Sequence, residues 1–127
     1  MDYVSTRGEA PALGFSDAVL AGLARDGGLY VPRVWPEFSA AEIRAMRGLS
    51  YSDLAVRLLT PFLGGEVKPE VFARLVHEAY ATFRHDAVCP LVQIGGQKFV
   101  LELFHGPTLA FKDVAMQLIA RLMDHVL

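Results

Sequence analysis

A chain of 127 residues has room for one ordinary domain, or for a small domain and the opening of another. A formal net charge of −2 with no clustered Lys and Arg excludes a nucleic-acid surface. A single cysteine excludes an internal disulfide, and an apolar share of 53% supplies a core that needs no metal or disulfide staple.

The start, Met1-Asp2-Tyr3-Val4, has neither a basic nor an apolar leader region. No uncharged stretch approaches the roughly 20 residues of a membrane span. The expectation is a soluble, cytoplasmic protein.

In chain order, Asp2 to Thr6 predicts a short strand, and Arg7-Gly8 to Leu13-Gly14 a loop. Ser16 is expected to cap a helix whose apolar positions are Val19, Leu20 and Leu23. Asp26-Gly27-Gly28 ends it in a tight turn, and Leu29 to Pro32 is extended. Three helices follow. The first opens on the capping box Ser39-Ala40-Ala41-Glu42. The second starts at Ser50, carries a Leu54, Leu58 and Leu59 stripe, and stops near Phe62-Leu63-Gly64-Gly65. The third has Pro69 in its first turn and runs from Glu70 to about Phe83, with Val71, Leu75, Val76 and Ala79 facing inward.

After Pro90 the pattern changes. Leu91-Val92-Gln93-Ile94 and Phe99 to Phe104 predict two strands around Gly95-Gly96. A loop, His105 to Thr108, leads into a last helix with Ala115, Leu118, Ile119, Leu122 and Val126 on its inner face. That face and the apolar run Phe99 to Phe104 suit a buried parallel sheet, so the fold is expected to continue beyond Leu127. The predicted division is a mostly helical amino-terminal domain with short strands, residues 1–90, and the first strand-turn-helix of an open α/β domain, residues 91–127.

Chemistry concentrates in Glu102-Leu103-Phe104-His105-Gly106-Pro107-Thr108-Leu109-Ala110-Phe111-Lys112-Asp113. A buried strand running into a Gly-Pro turn would place Lys112 on the first turn of a helix. The positive helix start disfavours an ammonium there, and Leu109 and Phe111 would add desolvation. Such an amine is nucleophilic and suits Schiff-base formation with an aldehyde cofactor. An ordinary solvated lysine is the alternative that the same residues allow.

This twelve-residue stretch closely resembles the cofactor-lysine motif of threonine synthases, pyridoxal-phosphate enzymes of the tryptophan-synthase β fold (fold type II). Tyr3-Val4-Ser5-Thr6-Arg7-Gly8 is similar to that family's opening strand. Phe15-Ser16-Asp17-Ala18-Val19-Leu20, with Asp26-Gly27-Gly28-Leu29-Tyr30-Val31-Pro32, resembles its next signature. Order and spacing agree, and residues 35 to 90 are the least distinctive.

The resemblance implies that Lys112 holds pyridoxal 5'-phosphate. It also implies a carbon–oxygen lyase that converts O-phospho-L-homoserine and water to L-threonine and phosphate. The family's Ser-Gly-Asp-Thr-Gly-like carboxylate loop, its phosphate-cradling Gly-rich loop and its partner for the pyridine nitrogen are all missing from this sequence. The implied partner is therefore the remainder of the same catalytic domain, without which the chain is expected to be inactive and to bind cofactor poorly. Alternatives are another fold type II lyase, such as a dehydratase or a tryptophan-synthase β-like enzyme, and a non-catalytic module presenting the helical face of residues 39–84.

The remaining candidates each have a plainer reading. His105 lines the cofactor pocket or braces its loop. Thr108 is expected to cap the lysine helix, with ligand contact as the alternative. Asp113 suits the positive helix start. Arg7 meets a substrate anion or fixes the amino terminus through a salt bridge. No metal is expected: His77-Glu78 opens like a zinc-protease helix, but Ala81 stands where the second histidine belongs. Cys89 reads as a buried inert thiol, and Met46, Met116 and Met123 as packing.

Overall fold

The computed structural model covers all 127 residues. Strand β1 (Tyr3–Ser5) pairs antiparallel with β2 (Tyr30–Pro32), Tyr3 lying opposite Pro32 and Ser5 opposite Tyr30. Between them lies α1 (Phe15–Ala21). Ser16 does not cap it. The N-cap is Gly14, and the first amides are met from far away: Glu66 accepts from Phe15 N at 2.7 Å and from Ser16 N at 2.9 Å. A carboxylate satisfies both orphan donors and the positive helix end together, which a serine hydroxyl inside the first turn cannot do. Leu20 and Leu23 also depart from expectation. Both are exposed, and Leu23 lies beyond the helix in an isolated bridge to Leu29.

The Asp26-Gly27-Gly28 turn is fastened to the end of β1 by one carboxylate. Asp26 accepts from Ser5 Oγ at 2.7 Å, from Gly28 N at 2.9 Å, and from Glu9 N and Ala10 N at 3.0 and 2.9 Å. Gly27 takes a left-handed φ of +77°, and a Cβ on Gly28 would collide with Ser5 Oγ. The Ser5 hydroxyl, with the three amides, holds the Asp26 carboxyl down to about 2. A group lowered on folding stabilises the fold above its ordinary value of 3.8 and loses that contribution as pH falls through about 2. Asp26→Asn is expected to flatten acid unfolding across that window while lowering stability at neutral pH. Thermal midpoints measured at stepped pH check it.

The three middle helices begin where the capping signals place them. For α2 (Ala40–Ala45), Ser39 Oγ accepts from Glu42 N and Glu42 Oε2 accepts from Ser39 N, closing the capping box. For α3 (Tyr51–Leu59), Ser50 Oγ accepts from Asp53 N at 3.1 Å. A 3₁₀ turn, Thr60–Leu63, then ends on Gly64 with φ +61°. Helix α4 (Pro69–Tyr80) stops short of Phe83.

Helix α4 packs against α3 and against the last helix, α5 (Asp113–Val126), which also touches α1. One core cluster therefore joins Phe15, Leu63, Phe72, Val76, Leu118 and Leu122. A helix with neighbours on two sides needs a wider apolar arc than a single stripe. Accordingly Phe72 and Tyr80 join Leu75, Val76 and Ala79 inside, while Val71 is half-buried. Tyr80 Oη donates to Val114 O at 3.2 Å and stacks edge-on against Tyr51, tying α4 to α5 and α3. Cys89 Sγ, half-buried, lies 3.8 Å from Tyr51 Oη. Of the inner face expected for α5, Leu118 and Leu122 are buried. Ala115 and Ile119 are exposed and line an apolar groove of about 420 Å³ between α3 and α5, together with Leu54 and Leu58.

Strands β3 (Leu91–Gly95) and β4 (Lys98–Leu101) form an antiparallel hairpin, Leu91 opposite Leu101 and Gln93 opposite Phe99. The expected buried strand to Phe104 is corrected on both counts: β4 ends at Leu101, and every residue of the hairpin is exposed. One further backbone bond, Glu102 N to Pro90 O at 3.0 Å, closes the ribbon just beyond the last paired residues. The exposure follows because no helix or second sheet of the chain lies on the ribbon. No helix is long and apolar enough to cross a membrane.

Candidate functional site

The chain leaves the hairpin through a braced corner. His105 Nε2 lies 2.7 Å from Glu102 Oε2, and its backbone carbonyl accepts from Arg84 N at 2.9 Å. The His105 ring also packs near His85, with centroids 5.0 Å apart, and against Phe104. The ring thus lies among Glu102, His85 and Phe104 within the corner.

From Gly106 to Asp113 the backbone closes into a compact double turn. Leu109 N donates to Gly106 O at 3.2 Å, and Asp113 N to Ala110 O at 3.0 Å. Leu109 takes a left-handed φ of +64°, a conformation that costs a branched residue about 1–3 kcal/mol and persists only where neighbours impose it. One residue earlier, Thr108 is tied to Asp113, only 3% exposed at the head of α5. Its Oδ2 accepts from both Thr108 N and Thr108 Oγ1 at 2.8 Å, and its Oδ1 from Gln117 Nε2 at 3.3 Å. Burial pushes the Asp113 carboxyl up, but the bonds from Thr108 and Gln117 outweigh it, and the net shift is downward. Gly106 is held so close that a Cβ there would overlap Asp113, 2.8 Å from its Cγ.

Thr108 is thus not the cap of the lysine helix. It gives its amide and hydroxyl to Asp113, five residues on, and its oxygen reaches only Ala110 N at 3.4 Å. The residue in the cap position is Lys112 itself, with helical dihedrals (φ −60°, ψ −25°) and a carbonyl accepting from Ala115 N and Met116 N. It sits one place before the expected first turn. Leu109 and Phe111 do not desolvate it: they are 55% and 66% exposed. Lys112 is exposed too, and its Nζ enters no ion pair.

Arg7 lies elsewhere. Its guanidinium donates to Asp26 O at 2.8 Å, a bond to a carbonyl rather than the salt bridge considered for it, and none of its hydrogen bonds reaches the 105–113 loop. His77 pairs with Asp53 at 3.1 Å, and no three His, Cys, Asp or Glu side chains gather as a metal site.

The fold is a mixed helical segment with short strands, which leads through a carboxylate-locked loop to an exposed lysine at the head of a helix. Comparison with known proteins gives that segment a family. The description of the amino terminus of threonine synthases matches residues 2–80, and the chain belongs to the threonine synthase family. The threonine synthase of Pseudomonas aeruginosa is 57% identical over 127 residues, all of this chain and 27% of that protein. That of Schizosaccharomyces pombe is 39% identical over 128 residues, all of this chain and 25% of that protein. Among solved structures, a PLP-bound threonine synthase from Brucella melitensis superposes with a TM-score of 0.96 at 71% identity, covering 99% of this chain and 27% of that one. The chain thus spans about a quarter of the length of the curated relatives it matches.

Proposed function

We propose that this chain is the lysine-bearing opening of a threonine synthase. In the complete protein, Lys112 would hold pyridoxal 5'-phosphate, and O-phospho-L-homoserine and water would become L-threonine and phosphate. The observation that carries this reading is a primary amine without ion-pair partners, presented by a rigid loop, in a chain aligned over its full length with threonine synthases. We divide the chain functionally at residue 90: residues 1–90 form a supporting amino-terminal domain, and residues 91–127 open the cofactor-binding domain.

The residues present fit the cofactor's needs on one side. An aldehyde requires an unpaired amine, and the donor set around Lys112 offers it no carboxylate to neutralise it: Asp113, its neighbour, is fully occupied by Thr108 and Gln117. When bound, the cofactor supplies an electron sink through its pyridine ring. Lys112 Nζ, once free, would take protons from the substrate's Cα and Cβ and deliver them at Cγ and back at Cα, as phosphate leaves Cγ and water gives its hydroxyl to Cβ. His105, Glu102 and Arg84 hold the loop's entry, and Asp113 holds its exit.

Borohydride reduction of the cofactor-loaded complete enzyme, followed by peptide mapping, is expected to place one pyridoxyl group on Lys112. The isolated chain 1–127 is expected to take up far less than one equivalent and to turn over no substrate. Label on another lysine would dismiss the reading, and stoichiometric labelling of the isolated chain would dismiss the dependence on the rest of the protein.

A further inference from the structure

We propose that Asp113 is a positioning residue for Lys112: its buried carboxylate, receiving both donors of Thr108 against a side-chain-free Gly106, fixes the direction in which the lysine leaves the helix head. The inference deepens the reading of Lys112 as the cofactor lysine and rests on it.

The geometry has three parts. The loop from Gly106 to Asp113 is closed across its ends, because Gly106 lies against Asp113 with no space for a Cβ. Its middle is pulled onto the same carboxylate, with Thr108 N and Oγ1 both 2.8 Å from Oδ2. The second oxygen reaches forward into α5 through Gln117 Nε2 at 3.3 Å. One side chain thus joins loop and helix on either side of residue 112, and Leu109, next to the tied Thr108, holds a left-handed φ of +64°. An exposed lysine has many rotamers. What the protein controls is the path of its backbone, and that path is set by the residue next to it.

The chemistry of the lock demands a carboxylate. Oδ2 accepts two hydrogen bonds from one residue while Oδ1 accepts a third. Asparagine offers one acceptor oxygen, and its NH₂ would confront either the Thr108 donors or the Gln117 amide. Glutamate keeps the charge but adds a methylene where Gly106 leaves no room. Replacing the carboxylate therefore releases Thr108 and lets residue 112 swing, with little removed from the apolar core.

The test uses the complete enzyme with Asp113→Asn, Thr108→Val, Thr108→Ser and Lys112→Ala. Asp113→Asn and Thr108→Val are expected to lose about ten- to a hundredfold in kcat, the scale of a misplaced catalytic group, with a much smaller change in KM. They are also expected to shift the pH at which the visible absorption of the lysine-bound cofactor changes, and to slow borohydride labelling of Lys112. Thr108→Ser, which keeps the hydroxyl donor, is expected to restore all three readouts. Thermal midpoints of the cofactor-free proteins report folding separately. Should Asp113→Asn fail to fold, the Thr108 pair decides the matter alone. Wild-type absorption, labelling rate and kcat in Thr108→Val, or in a folded Asp113→Asn, would overturn the positioning role while Lys112→Ala remains dead. A Lys112→Ala enzyme that keeps bound cofactor and turnover would overturn the underlying reading, and the positioning role with it.

Discussion

Lys112→Ala in the complete enzyme is expected to abolish measurable threonine formation, a fall in kcat of about 10²–10⁴-fold or more. The lower bound is what a positioned proton carrier contributes, and a lost covalent anchor for the cofactor adds to it. Folding is expected to be indifferent to the change. Lys112 is exposed, enters no ion pair, and occupies a cap position where its backbone rather than its side chain makes the helix bonds. The pairing of lost turnover with an unchanged thermal midpoint separates a chemical role from a structural one. Steady-state kinetics beside calorimetry measure both, and retained turnover would end the assignment.

The largest effect on stability is expected at a residue far from any chemistry. Phe72 is 1% exposed and sits in the cluster that joins α1, α4 and α5. Truncating a buried phenylalanine to alanine removes its transfer free energy and leaves a cavity that close-packed neighbours fill only in part, about 3–5 kcal/mol in all. Against a whole-domain stability of about 5–15 kcal/mol, Phe72→Ala leaves a marginal protein. Urea unfolding at neutral pH checks it: a loss below about 1 kcal/mol would mean that the three helices do not share one core.

What was legible in the sequence is what local chemistry decides. Ser39 with Glu42 and Ser50 each start a helix by bonds to atoms three residues away, and Pro69 starts one by its fixed φ, so local pattern alone locates α2, α3 and α4. The Gly95-Gly96 turn was legible for the same reason. What escaped depends on partners distant in sequence. Glu66 caps α1 from fifty residues away, and Asp26 binds amides of the β1 turn that precedes it, neither of which a local pattern announces. Phe72 escaped because a single-stripe reading of α4 allows one neighbour where the fold supplies two. At the loop, the start of α5 beside Lys112 was readable to within one residue. Thr108, by contrast, was assigned the cap because hydroxyls usually accept from the next turn, whereas here its donors run to the carboxylate at 113.

The Glu66 cap has a consequence in time. A ribosome builds α1's amides at positions 15 and 16 long before it adds the carboxylate that answers them, and Phe15 awaits Phe72 for its packing. The first helix to be synthesised is therefore among the later ones to become secure, and a pause in translation before residue 66 would leave it a fluctuating segment exposed to chaperones and proteases.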